Sequence, residues 1–212
     1  VDRLLLQLIE LSESLPKLVE AASGETILPS QFSEFERQSY NNEGFKDFPI
    51  IQRMAQVAPL DMYQQDFLSR CKTLNEIIVR LKVGTLRRVL RALGARKDEV
   101  ANLQGLKVLQ AILNILEYLN EQLENKDALA GSANMVEWKN ENPTIAPLFV
   151  NNDLRNSESH ESIEDAINFL ERIGFDTSTV NSGYGKALDF LLDGVINSIE
   201  SINRNITDLL NR

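Results

Sequence analysis

Apolar residues recur along most of the chain at spacings of three and four, the period of a helix with one buried face. Leu4, Leu8, Leu11, Leu15 and Leu18 form the first such stripe. Pro16 falls inside it, and proline has no N–H to give to the preceding turn, so a kink or restart is expected near Ser14. Residues 23–49 carry Gly24, Pro29, Asn41, Asn42, Gly44 and Pro49. They read as irregular, with a short helix around Gln31–Tyr40 and packing by Phe32, Phe35, Tyr40, Phe45 and Phe48. A short helix over 50–58 is expected to end at Pro59, with Asp61 capping the next. That next helix runs through Phe67, Leu74, Ile77, Ile78 and Leu81, softens at Gly84, resumes through Leu86, Leu90 and Leu93, and stops at Gly94.

The second half is more regular. Residues 98–124 carry the seam Leu106, Leu109, Leu113, Leu116 and Leu123, with Asn120 at an apolar position. Asn120 either fixes the register of a specific pairing or sits at a wet helix end. Residues 125–152, with Gly131, Trp138, Pro143 and Pro147, read as a connector. Residues 153–173 read as a helix with the face Ile163, Ala166, Ile167, Leu170 and Ile173. It starts at Asp153, or restarts at Ser162 with Asp165 as capping-box partner. Gly174 is placed as the left-handed residue after its last turn, with Phe175 packing back. The last helix, 184–211, repeats Leu188, Leu192, Val195, Ile199, Ile202, Ile206 and Leu209 over three heptads. No alternating apolar–polar run of useful length and no internal repeat accompanies these helices. The expected fold is all-α, a bundle of about six helices.

Composition agrees with that. The 212 residues include 10 Gly and 6 Pro, so few breakers interrupt the elements. The length suits one domain, or one with an appendage. No run of 18 apolar residues exists to span a membrane. The N-terminus is apolar but has no positive lead, so no signal peptide is expected, and a cytoplasmic location is. A start at Val1 rather than Met suggests a processed product or a piece of something longer.

A net charge of -9 argues against broad nucleic-acid binding. The charge is segregated, however. Residues 1–69 carry -6, residues 70–97 carry +8, residues 98–150 carry -5 and residues 151–212 carry -6. In the basic block Arg80, Arg87 and Arg91 fall on one stripe if the helix is continuous, beside Arg88. The block is either an RNA-facing surface or a solvated helix face.

The single Cys and single His exclude an intrachain disulfide and a zinc site of the usual Cys/His kind. A carboxylate metal site stays open. There is no phosphate-loop glycine signature, no nucleotide-binding Gly-x-Gly-x-x-Gly after a strand, no Glu-x-x-His and no Gly-x-Ser-x-Gly. Cys71 has no His near it in sequence and reads as a buried small hydrophobe.

The sole histidine ends the segment Leu154, Arg155, Asn156, Ser157, Glu158, Ser159, His160. This resembles the signature of the HEPN superfamily, α-helical ribonucleases of toxin, phage-defence and CRISPR-associated systems. Their motif is an Arg, four to six residues and a His, with a polar residue favoured after the Arg. Here it is Arg155, Asn156 and His160, with four residues between the Arg and the His. The resemblance covers roughly 70–212, an HEPN-like helical domain, and leaves 1–69 as a helical extension with no assigned role.

The chemistry suits these residue types. Metal-independent RNA cleavage needs a group that transfers protons near neutrality, and His titrates there. It also needs a fixed cation on the phosphate oxygens, which Arg supplies with a planar fork. Asn156 would orient either group. Residues five apart lie about 140° around a helix axis, so one phosphate does not sit easily between Arg155 and His160 of one chain. In the family a homodimer resolves this with a composite cleft, and the resemblance implies the same here, with no cofactor and no metal.

Some members carry a Tyr two residues after the His, where a partner nucleotidyltransferase modifies it. This chain has Ser162 there. The motif is also flanked by Glu158, Glu161, Glu164 and Asp165. Arg155 could simply pair with Asp153 or Glu158. The expected function is therefore a homodimeric endoribonuclease acting on RNA in defence or stress response. Arg155, Asn156 and His160 would be catalytic, and Arg80, Arg87, Arg88 and Arg91 would bind RNA. The alternatives are a non-catalytic helical module of a defence or toxin–antitoxin system, pairing through the heptad seam or with an antitoxin or effector protein, and a nucleotide-binding helical domain assisting a nucleotidyltransferase.

Overall fold

A computed structural model describes residues 1–122, 129–157 and 163–212. Every regular element among them is helical. In chain order the helices are α1 (Asp2–Ser23), α2 (Arg37–Glu43), α3 (Pro49–Met54), α4 (Gln64–Ile78), α5 (Val83–Ala92), α6 (Lys97–Val100), α7 (Gly105–Gln122), α8 (Ala146–Ser157), α9 (Ile163–Glu171) and α10 (Gly185–Leu210). Short 3-10 turns occupy Pro29–Gln31, Gly44–Asp47, Ser132–Asn134, Pro143–Ile145 and Thr177–Ser182.

The most regular seam in the sequence becomes the spine of the bundle. α10 packs against α1, α7, α8 and α4. Leu188, Val195, Ile199, Ile202, Ile206 and Leu209 are all buried, and Leu192 is partly so. The chain's own helices therefore fill this seam, and it is not open to a second copy. Asn120 of α7 donates to the backbone oxygen and to Oδ1 of Asn205 on α10, both at 2.9 Å, so its pairing lies within the chain.

α1 runs unbroken through Pro16 instead of restarting near Ser14. A proline inside a helix costs about 3 kcal/mol. Each fully buried leucine contributes about 1.5–3 kcal/mol, and Leu8, Leu11, Leu15 and Leu18 are all fully buried. Burial on both sides of the proline outweighs its cost. Polar groups on α1 find partners: Ser12 donates to the Leu8 carbonyl and lies 2.7 Å from the Ser33 hydroxyl. Asn203 of α10, buried, donates to the Gln7 backbone oxygen at 2.9 Å and to Gln7 Oε1 at 2.8 Å.

Residues ahead of α4 wrap this core. Phe32, Phe35 and Phe48 are buried, with Phe35 and Phe48 edge to face at 5.6 Å. Asp61 does not cap α4; the helix starts after Tyr63 with no side-chain cap. Residues near Asp61 join α10 instead, where Tyr184 N–H donates to Met62 O and Gly185 N–H to Leu60 O. The α4–α5 break falls over 79–82, not at Gly84. There the Lys82 N–H is taken by Phe32 O at 2.7 Å, and a continuous helix would have kept it for itself.

α7 begins at Gly105 rather than 98, since the short α6 and a turn precede it. Arg87 holds that turn, giving Nε and Nη2 to Leu103 O at 3.0 and 2.6 Å. Gly94 ends α5 at φ +101, and a Cβ there would lie 2.4 Å from Gly131 Cα. α8 occupies what reads as connector. Pro147 sits in its first turn, where the N–H that proline lacks would have no helical acceptor. Gly174 takes φ +84 after α9, and Phe175 N–H donates back to Leu170 O. The expected cap at Ser162 lies outside the described residues.

Candidate functional site

α8 is anchored through its buried face. Leu154 is fully buried, and Asn151 is 1% exposed between α8 and α4. With its amide turned to suit its neighbours, Asn151 donates to Cys71 O at 3.2 Å and accepts from Asn75 N–H at 3.3 Å. This places Arg155 and Asn156 on the solvent-exposed last turn. Asp153 pairs with Arg172 at 2.9 Å. Arg155 has no hydrogen-bond or ion-pair partner among the described residues. His160, Glu158 and Glu161 lie outside those residues.

Arg155 borders a cavity of about 720 Å³ between α4, α5, α7 and α8. Ile78, Leu81, Leu86, Leu109 and Phe149 supply its apolar wall. Three cations line it, Lys82, Lys107 and Arg155, and no carboxylate does so among the described residues. Lys82 Nζ donates to Ser30 O at 2.9 Å, and Lys107 Nζ lies 4.8 Å from the centre of the Phe149 ring.

Two helix starts meet at this cavity. Lys82, Val83 and Gly84 open α5, and Gln104 to Lys107 open α7. First-turn N–H groups have no acceptor inside their own helix. Those of Val83, Gly84, Gly105, Leu106 and Lys107 have no acceptor elsewhere among the described residues. Asn75, on the last turns of α4, also lines the cavity. It is 5% exposed, and its carboxamide has no hydrogen-bond partner among the described residues.

The four arginines expected to bind RNA do not form one surface. Arg80 falls in the turn between α4 and α5, off the helix that carries Arg87 and Arg91. It pairs with Glu34 at 3.3 Å, and Arg88 pairs with Glu25. Arg87 is spent on Leu103 O. Arg91 is exposed and without a partner among the described residues. Arg70 donates to Arg53 O at 2.9 Å and to Met54 O at 3.2 Å. Much of the basic block thus faces residues 1–69, neutralising the acidic segment that folds over it.

Cys71 is fully buried, and burial pushes its thiol well above the usual range. It is a small core residue with no nucleophilic character. No cluster of three or more His, Cys, Asp or Glu side chains that could hold a metal ion occurs among the described residues. No helix among them is long and apolar enough to cross a membrane.

Sequence reasoning took Lys82 only as part of the basic block and missed Asn75, Lys107 and the two helix starts. Asn75 did leave a trace: it stands beside Leu74 on the apolar side of a helix whose other inward positions are Phe67, Cys71 and Ile78. No family model matches the chain, no curated protein matches it, and no solved structure matches it.

Proposed function

We propose that the chain is a metal-independent endoribonuclease of the HEPN type, acting on RNA as a homodimer whose two Arg155–His160 segments share one cleft. The observation that supports this best is the state of Arg155. It is exposed at the end of α8, has no partner among the described residues, and borders a cavity lined by cations and free of carboxylates among those residues. An arginine held that way is ready to grip a phosphate with both arms of its fork.

In the proposed reaction the 2′-oxygen attacks the adjacent phosphorus and the bond to the 5′-oxygen breaks. His160 takes the proton from the 2′-hydroxyl, and the leaving 5′-oxygen takes one from water. The products are a 2′,3′-cyclic phosphate and a 5′-hydroxyl. Arg155 binds the non-bridging oxygens as charge builds on them. Asn156, next to it and also exposed, supports the phosphate or the imidazole. The chain's partners in this reading are RNA and a second copy, with defence or stress response as the setting.

The test is cleavage of single-stranded RNA in EDTA by wild type beside Arg155→Ala and His160→Ala. Activity that survives EDTA and is lost in both variants is the expected result. Intact RNA with all three proteins, or variants as active as wild type, contradicts it. A solution mass near 24.0 kDa, that of a single chain, contradicts the shared cleft.

A further inference from the structure

We infer that the cavity between α4, α5, α7 and α8 is a binding site for a small organic phosphate of about mononucleotide size. Four features converge on that class of ligand. The volume, about 720 Å³, falls within the roughly 300–1,000 Å³ typical of small-molecule sites. Lys82, Lys107 and Arg155 bring positive charge that no lining carboxylate offsets among the described residues. Two helix starts add backbone N–H groups with no acceptor among the described residues, which suits a phosphate oxygen.

The fourth feature is independent of charge. Asn75 is 95% buried yet leaves its carboxamide without a partner among the described residues. Its amide atoms are nevertheless reached by solvent on the cavity wall, so one donor group and one acceptor are open there to a ligand. The apolar wall around Ile78, Leu109 and Phe149 requires the same ligand to have a body as well as a charge. Inorganic phosphate would leave Asn75 and that wall unused. A neutral molecule would leave the cations and the helix starts unused. The inference invokes no cleavage step and no residue outside the described ones, so it stands or falls apart from the ribonuclease reading.

Calorimetric titration of the full chain at low ionic strength, without RNA, tests it with AMP, adenosine and inorganic phosphate. AMP is expected to bind, with adenosine and phosphate each at least about tenfold weaker. Lys107→Ala, an exposed change on α7, is expected to weaken AMP about tenfold, whereas Arg204→Ala, exposed on α10 and away from the cavity, leaves it unchanged. Asn75→Leu is expected to weaken AMP about tenfold while leaving the melting temperature of the free protein no lower, since the solvent-reached amide has no partner among the described residues to lose. A merely structural Asn75 would do the reverse, lowering the melting temperature and leaving affinity intact. The inference is overturned if AMP does not bind up to about 10 mM, if phosphate alone binds as well as AMP, or if Lys107→Ala has no effect. Single-stranded RNA binding in a Lys107-dependent way while AMP fails also overturns it. Lys107→Ala decides the matter even if Asn75→Leu does not fold.

Discussion

Replacing Arg87 with alanine tests a structural role for this part of the basic block. Both Nε and Nη2 of Arg87 reach Leu103 O, at 3.0 and 2.6 Å, across the turn that leads into α7. A hydrogen bond from a charged donor contributes about 1.5–3 kcal/mol. The second bond falls on the same oxygen and adds less than the first, so a loss of about 2 kcal/mol is expected. For a chain of this length each kcal/mol moves the melting temperature by about 2–4 °C, giving a drop of about 4–8 °C. Arg91, one turn further on and exposed with no partner among the described residues, should change stability by less than about 0.5 kcal/mol when replaced by alanine. Arg87→Lys keeps one donor and should recover about half of the loss. Urea denaturation with calorimetry reads all three. An Arg87→Ala protein as stable as wild type, or an Arg91→Ala protein as damaged as Arg87→Ala, would refute the reasoning.

Three further outcomes follow from the geometry. Gly94→Ala should destabilise by at least about 2 kcal/mol, because φ +101 strains any L side chain and the new methyl group would meet Gly131 Cα at 2.4 Å; an unchanged urea midpoint contradicts this. Asn203→Ala should cost about 2–3 kcal/mol, since it removes two hydrogen bonds to Gln7 and leaves a hole between α1 and α10. The midpoint should shift with no change in denaturant slope, and a loss below about 0.5 kcal/mol would show that the pair does not hold the two helices together. Cys71 should react with a thiol reagent at pH 8 at least about a hundredfold more slowly in the native protein than in urea, because burial both hides the thiol and keeps it protonated. Equal rates would place it on the surface.

Long apolar seams carried most of the fold, because a helix face must repeat and burial rewards it. α10 is the clearest instance, and α1 needed only the recognition that surrounding leucines can override one proline. Proline misled the reading at Pro147 for the opposite reason: in a first turn its missing N–H has no helical acceptor to forfeit, so a residue that punctuates loops opens α8. The α4–α5 break could not be seen locally, since its cause is a carbonyl 50 residues away in sequence, Phe32 O, taking the Lys82 N–H. The partners of the charge block were hidden in the same way. Arg80, Arg87 and Arg88 look free in one dimension and are engaged by Glu34, Leu103 and Glu25 in three. The cavity was invisible because its parts come from four helices. Arg155 alone stood in a motif-like segment, and Asp153, one of its expected partners, pairs with Arg172.

In the proposed reaction Arg155 and His160 cleave RNA through its own 2′-hydroxyl. The most direct measurement is single-turnover cleavage, in EDTA, of one RNA and of the same strand 2′-O-methylated throughout. Wild type is expected to cut the unmodified strand to 2′,3′-cyclic phosphate and 5′-hydroxyl ends and to leave the methylated strand intact. The rate is expected to fall at least about a hundredfold in both Arg155→Ala and His160→Ala. Cleavage of the methylated strand, 5′-phosphate ends, or undiminished rates in either variant would contradict it.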